Sequence, residues 1–331
     1  MWAEQEFEAK LRTRLATLPD PLGSELLGDY LSARRFVVDE IAGHIGSVEP
    51  DITDHSASHL ADVMSRANSL VDDDYFSPLE MYLLCVSILF HDVGNLHGRA
   101  DHQKKIADIY NACRHQHARF NAERQAVLTI AGAHTGSTKD GSKDTLQEVH
   151  PFPFKGLTVR GQELAAVLRL ADELAEGPHR TSAYFLNHGG YDAKSIIFHR
   201  YASAAEYSID GARIALSFTI NMKCAEGGPE IAEGLSLQDF LSFCYKRIAK
   251  VDAERRYCRH YSPLLTKLRE TSAWFSFWVD GRQLDTDLEK LVLSDLMIPG
   301  ENTKEIVKHN PRYDPALLAE RFKAECDGNG L

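Results

Sequence analysis

The chain has no apolar run long enough to cross a bilayer. The longest, Met81–Phe90, falls well short of the ~20 residues that a spanning helix needs. Its first residues, MWAEQEFEAKLRTRL, contain acids and no apolar h-region, which argues against a secretory signal. Positive charge is also scarce. Against 48 Asp and Glu stand 37 Lys and Arg, a net −11, so broad nonspecific binding to nucleic acid or to an anionic membrane surface is not expected. A local basic pocket is compatible with that balance. Cysteine is sparse: Cys85, Cys113, Cys224, Cys244, Cys258 and Cys326 are scattered with no C-x-x-C. This excludes a thiolate zinc cluster and predicts free thiols in a reducing cytoplasm, with nitrogen and oxygen ligands for any metal. No internal repeat or low-complexity tract is present.

What is present is a helical pattern organised around residues 51–175, whose centre is His91-Asp92 at the end of the apolar segment MYLLCVSILFHDVG. An unpaired carboxylate among core side chains costs several kcal/mol, and a cation is the simplest compensation. Further candidate ligands, His59, His102, His134 and Asp172, sit on or at the ends of segments with helical periodicity. Asp51 or Thr53 is expected to cap a helix whose buried stripe includes Leu60, Val63, Met64, Ala67 and Leu70. His55 and His59 share one face of it at i and i+4. Ser77-Pro78-Leu79-Glu80 reads as a capping box that starts the central helix, and Gly94 as its end. NLHGRADH then delivers His102 to the next helix, whereas Cys113, His115 and His117 alternate and read as a solvated face. TGSTKDGSKDTLQEVH after His134 has the composition of a mobile loop and stands where a lid would stand. Asp172 lies on the apolar side of the helix in TVRGQELAAVLRLADELAEG, where the bland alternative is pairing with an arginine.

The flanks read differently. Residues 1–50 predict a helical brace, with Leu26, Leu27, Leu31, Phe36, Val37 and Ile41 on its apolar face. In residues 178–331, SIIFHRY and EYSID read as strands, Asp210-Gly211 as a hairpin turn before ARIALSFTI, Ser236 as the cap of a long helix, and ECDGNGL as a frayed end. The expected architecture is mainly α: a helical bundle over residues 51–177, with a small appended antiparallel sheet and C-terminal helices, α+β in all.

The ordered set HLADV, ILFHDVGN and LRLADELAE resembles the HD phosphohydrolase superfamily over about residues 51–177. The resemblance implies an HD-type helical bundle in which His59, His91, Asp92 and Asp172 hold one divalent ion (Mn, Mg, Fe, Ni or Zn). His102 and His134 resemble the extra histidines of the two-metal branch, leaving room for a weaker second ion. It also implies hydrolysis of a phosphoanhydride or phosphoester in a small anionic nucleotide. On that reading Asp92, His102 and His134 serve catalysis, with His102 assigned to leaving-group protonation. His55, Asn95, Lys139, Lys143 and Arg180, with Lys104 and Lys105, are the candidate substrate-binding groups. Two departures separate the chain from named branches: Asn95 stands where the triphosphohydrolase pattern has histidine, and the HD-GYP signature is missing. Two other classes compete, a nucleotide-sensing module with weak or no catalysis and a di-iron oxygenase on the same scaffold. Homo-oligomerisation is left open.

Overall fold

The computed structural model describes residues 2–48, 53–225, 228–295 and 306–327. It is mainly helical with added β structure, and the chain divides into two compact units: 1–175 with 257–266, and 176–256 with 267–331.

The first unit begins with α1 (Glu6–Leu15) and α2 (Leu22–Phe36), then a π-helical segment, Val37–Ala42, and α3 (Gly43–Val48). The apolar face of the brace is shifted from its expected position. Leu26, Tyr30, Ala33, Val37 and Ile41 are buried, while Leu31 points outward, because spacing of i+3 and i+4 through Tyr30 keeps one stripe on one side. Next come α4 (Ala57–Leu70), α5 (Pro78–Phe90), α6 (His102–Cys113) and α7 (Asn121–Gly132). A short hairpin of β1 (Phe152–Phe154) and β2 (Leu157–Val159) leads to α8 (Gly161–Leu174). Asp51 lies outside the described residues. The cap of α4 is Ser56, not Thr53: its hydroxyl accepts from Ser58 N, and Asp54 in turn accepts from Ser56 N at 2.9 Å. Ser77 and Glu80 do form the reciprocal capping box of α5. By length and mean hydropathy the segment Pro78–His97 qualifies as a membrane span, but 94% of its apolar window is buried in the protein, so it is a core helix.

Two buried carboxylates join the helices of this bundle. Glu123 on α7 accepts from Tyr82 OH on α5, from Tyr110 OH on α6 at 2.7 Å, and from Arg114 Nε and Nη2 at 3.0 and 2.6 Å. Glu80 accepts from Arg160 N, Nε and Nη2 at 2.8–3.0 Å, which ties the start of α5 to the start of α8. Charge-assisted bonds of this kind are roughly twice as strong as neutral ones and set helix register as well as stability. Cys113 is buried, not part of a solvated face; His115 and His117 are exposed.

The second unit carries α9 (Ala183–Asn187), α10 (Ile196–Ala204), β3 (Ala205–Asp210), β4 (Arg213–Ala225), β5 (Gly228–Ala232), β6 (Leu235–Ser236) and α11 (Leu237–Tyr261), whose last residues from Tyr257 count with the first unit. β7 (Glu270–Val279), β8 (Arg282–Leu284), β9 (Leu291–Ser294), α12 (Ile306–His309) and α13 (Pro315–Asp327) follow. SIIFHRY is helical, not a strand. Ser195, His199 and Ala202 are buried at helical spacing, and Asp192 Oδ1 accepts from Ser195 N at 2.6 Å just ahead of the helix. The Asp210-Gly211 hairpin forms as expected, with Asp210 opposite Arg213. The sheet it opens is larger than expected and mixed. Among the described residues it has seven strands, and β4 and β7 pair in parallel from Arg213–Glu270 to Met222–Val279. Its buried face carries Leu216, Phe218, Ile220, Phe275 and Phe277, with the Phe218 and Phe275 rings stacked at 4.9 Å. Cys224 and Cys326 form a disulfide, Cα–Cα 5.5 Å, which corrects the expectation of six free thiols and of a frayed segment at Glu325–Cys326. Cys85, Cys113, Cys244 and Cys258 are buried and take no part in a disulfide.

Candidate metal centre

Helix α5 ends at Phe90, and the chain leaves it through His91, still αR, and Asp92 at φ −108°, ψ 0°. This loosened end lets two neighbours that would diverge by ~100° on a regular helix face one point. A short 3-10 turn, Val93–His97, then leads toward α6. Gly94 lies in this turn, and a Cβ there would sit 1.9 Å from the carbonyl oxygen of His102. The missing side chain is what lets α6 bring His102 against the doublet.

Four ligand-capable residues from three helices meet here. His59 Nε2 is 3.2 Å from Asp172 Oδ1 and 3.6 Å from Asp92 Oδ2; His91 Nε2 is 3.5 and 3.3 Å from the same two oxygens. A second group shares Asp92: its Oδ1 is 3.2 Å from His102 Nε2 and 3.7 Å from His134 Nε2. In each group the ligand atoms lie within 4.8 Å of one another. His59 and His91 are buried, and Asp172 is 27% exposed at the edge of the cluster.

The ring tautomers follow from the backbone. His91 Nδ1 faces Ile88 O at 2.8 Å, His102 Nδ1 faces Arg99 O at 3.1 Å, and His134 Nδ1 faces Ala131 O at 2.6 Å. A carbonyl oxygen only accepts, so each Nδ1 carries the proton and each neutral ring turns an Nε2 lone pair into the cluster. His102 Nε2 and His134 Nε2 then face each other at 3.3 Å with no proton between them. His59 Nε2 and His91 Nε2 are buried with no hydrogen-bond partner despite the nearby carboxylates. Lone pairs and carboxylate oxygens gathered this closely, with Nδ1 of His91, His102 and His134 anchored on backbone, are the pattern that a divalent cation satisfies. Burial opposes charge at both Asp92 and His91, but their mutual attraction wins, holding the Asp92 carboxyl well below the usual range and raising His91 well above it. The donor set of imidazoles and carboxylates suits Mn, Fe, Ni or Zn, and a Cys ligand is lacking among the described residues of the cluster.

The other expected site residues divide. His55 is buried, and its Nε2, 3.7 Å from Asp92 Oδ2, accepts from Arg99 Nη1 at 3.1 Å. It belongs to neither ligand group. Asn95 is wholly buried, with both amide atoms lacking hydrogen-bond partners. Lys143 donates to Ser137 Oγ at 2.9 Å beside the cluster; Lys139, in the same loop, is exposed. Lys104 pairs with Asp101 at 3.1 Å, and Lys105 Nζ donates to His97 O. Arg180 is not an exposed cation: it lies in the second unit, buried, 3.8 Å from Glu176. The stretch after His134 is anchored at its far end. Thr145 Oγ1 donates to Ala133 O at 2.6 Å, and Asp144 accepts from the hydroxyls of Tyr257 and Tyr261 at 2.7–2.8 Å. Sequence reasoning overlooked Arg99, although its place three residues before His102 put it in the right loop, and Glu123, whose buried partners are remote in sequence.

Among curated proteins, none matches the chain. Residues 49–254, more than half of the sequence, match the HD-CE family. With the histidine and aspartate cluster in place on its helices, the chain is an HD-type metal-binding protein and belongs to the HD-CE family.

Proposed function

We propose that the protein is a metal-dependent phosphohydrolase that cleaves a phosphoanhydride or phosphoester bond of a nucleotide. The observation that carries this reading is the convergence of bare imidazole lone pairs and two carboxylates at the end of a core helix. His59, His91, Asp92 and Asp172 would hold the ion. When bound, a divalent ion lowers the pKa of water toward neutrality and withdraws charge from a phosphoryl oxygen. In the hydrolysis the water oxygen bonds to phosphorus, the bond from phosphorus to the leaving oxygen breaks, and that oxygen takes up a proton. Asp92, poised between both histidine groups, accepts the proton of the attacking water. His102, whose Nδ1–H is fixed by Arg99 O, takes that proton from Asp92 Oδ1 onto Nε2, 3.2 Å away, and delivers it to the leaving oxygen, with His134 supporting it from 3.3 Å. His55, Asn95, Lys139 and Lys143 are the substrate-facing candidates on this reading.

A second reading is favoured by one observation, the division of Asp92 between two groups, Oδ2 toward His59 and His91 and Oδ1 toward His102 and His134. On that reading His102 and His134 are ligands of a second ion, an arrangement suited to phosphodiesters. The test is to incubate the purified protein with Mn²⁺ and a panel of nucleoside triphosphates, cyclic dinucleotides and oligonucleotides, resolving products by mass and counting metal per chain. Product formation lost in Asp92→Ala supports the hydrolase. Tight nucleotide binding without turnover would favour a sensing module, and an absorption band of oxidised iron an oxygenase.

A further inference from the structure

Next to the histidine and aspartate cluster lies a cavity of about 400 Å³. His102 is one of its walls and also a member of the second ligand group, so the cavity and the cluster share a residue. Its volume falls within the range of ligand sites, ~300–1,000 Å³. Three cations, Arg99, Lys104 and Lys143, line it against a single carboxylate, Asp101, which pairs with Lys104. In a chain with a net charge of −11 that local reversal of sign requires a reason.

The two remaining cations are placed by specific contacts. Arg99 is exposed, yet its guanidinium donates to His55 Nε2, and His55 Nε2 is itself 3.7 Å from Asp92 Oδ2. The positive fork is therefore drawn toward the cluster. Lys143 crosses the base of the loop after His134, donating to Gly136 O and Ser137 Oγ at 3.3 and 2.9 Å. Gly136, at φ +91°, allows that turn: a Cβ there would sit 2.4 Å from Gln103 Nε2 on α6. Ser137, whose hydroxyl accepts from Lys143, and Thr138, whose hydroxyl donates to Asp140, complete the wall. Planar arginine forks and lysine point charges are the groups that recognise phosphate.

We propose that this cavity is a phosphate-chain subsite in which Arg99 and Lys143 hold the phosphates beyond the one that reacts, so that the protein selects polyphosphorylated over monophosphorylated ligands. The proposal rests on the hydrolase reading and narrows its substrate class. His55 acts through Arg99 as a positioning residue.

Calorimetric titration of the protein with tripolyphosphate bridged by NH in place of oxygen, which resists hydrolysis, and with orthophosphate, in excess Mg²⁺, measures the preference without turnover. The wild-type protein is expected to bind tripolyphosphate at least tenfold more tightly. Arg99→Met and Lys143→Met should each remove most of that preference, and Lys143→Arg should retain it, with metal per chain and melting temperature unchanged in all three. Equal affinity for the two anions in the wild-type protein, or an undiminished preference in both Met variants, overturns the proposal. Turnover in Asp92→Ala would sink the hydrolase reading separately, because the anion preference is read by binding alone.

Discussion

Asp92 is the residue on which both ligand groups depend, since each of its oxygens faces a different pair of imidazoles. Asp92→Ala is expected to abolish metal binding and hydrolysis while leaving the helical circular dichroism nearly unchanged; activity at the wild-type level would remove the central claim. Asp172 offers a sharper comparison. The alternative of a structural acid paired with an arginine predicts unchanged metal and lower stability, whereas a ligand predicts the reverse. The oxygen of Asp172 faces His59 and His91, so Asp172→Asn should lose metal affinity with little change in the melting temperature measured in chelator. His134→Ala separates the one-ion and two-ion readings. Under the one-ion reading it lowers turnover by ~10²- to 10⁴-fold at constant metal content, as a proton-transfer group does. Under the two-ion reading, metal content falls by one per chain.

Among the elements, legibility depended on how local the determining interactions are. Ser77-Pro78-Leu79-Glu80 marked the start of α5 because both halves of the capping box lie within one turn. The sequence of α10 reads as a strand because Ile196, Ile197 and Phe198 favour strands intrinsically. The buried set Ser195, His199 and Ala202 becomes visible only once its packing is known. The same applies to Glu123, an ordinary helix acid in sequence that proves to be the common acceptor for Tyr82, Tyr110 and Arg114. Removing one partner of a buried ion pair strands the other, so Glu123→Ala should cost about 3–5 kcal/mol in a denaturant titration. A change below 1 kcal/mol would show that the three helices do not depend on this hub.

At the scale of the first unit, two dependences are expected. Metal that binds the folded chain alone should raise its stability by about 2.7 kcal/mol at a hundredfold excess over Kd, seen as a melting temperature that rises with added Mn²⁺ and falls with chelator. Insensitivity to both would remove the metal from the folded state. The second is acid sensitivity. Burial pushes the Glu80 carboxyl up, but bonds from Arg160 and Ser77 outweigh it and hold it down at about 2, against 4.5 for a free carboxyl. A depressed acid stabilises the fold above its unfolded pKa and loses that contribution as pH falls. The contribution, on the order of 3 kcal/mol, is therefore present above about pH 4.5 and lost progressively toward pH 2. Melting curves of wild-type protein and Glu80→Gln should converge over that window; a gap independent of pH would contradict the assignment.

The amino-acid sequence by itself determined the helical class, the capping box of α5, the apolar stripes of α4 and α8, and the identity of the residues gathered at the cluster. Those features follow from spacing within a few turns and from the cost of placing polar groups among apolar ones. Tertiary structure alone decided the division of Asp92 between two histidine groups and the placing of Arg99 by His55. It also decided the parallel pairing of β4 with β7 and the Cys224–Cys326 bond. Each joins residues through the path of the backbone in space, and sequence spacing carries no record of which distant segments that path brings within a few ångströms.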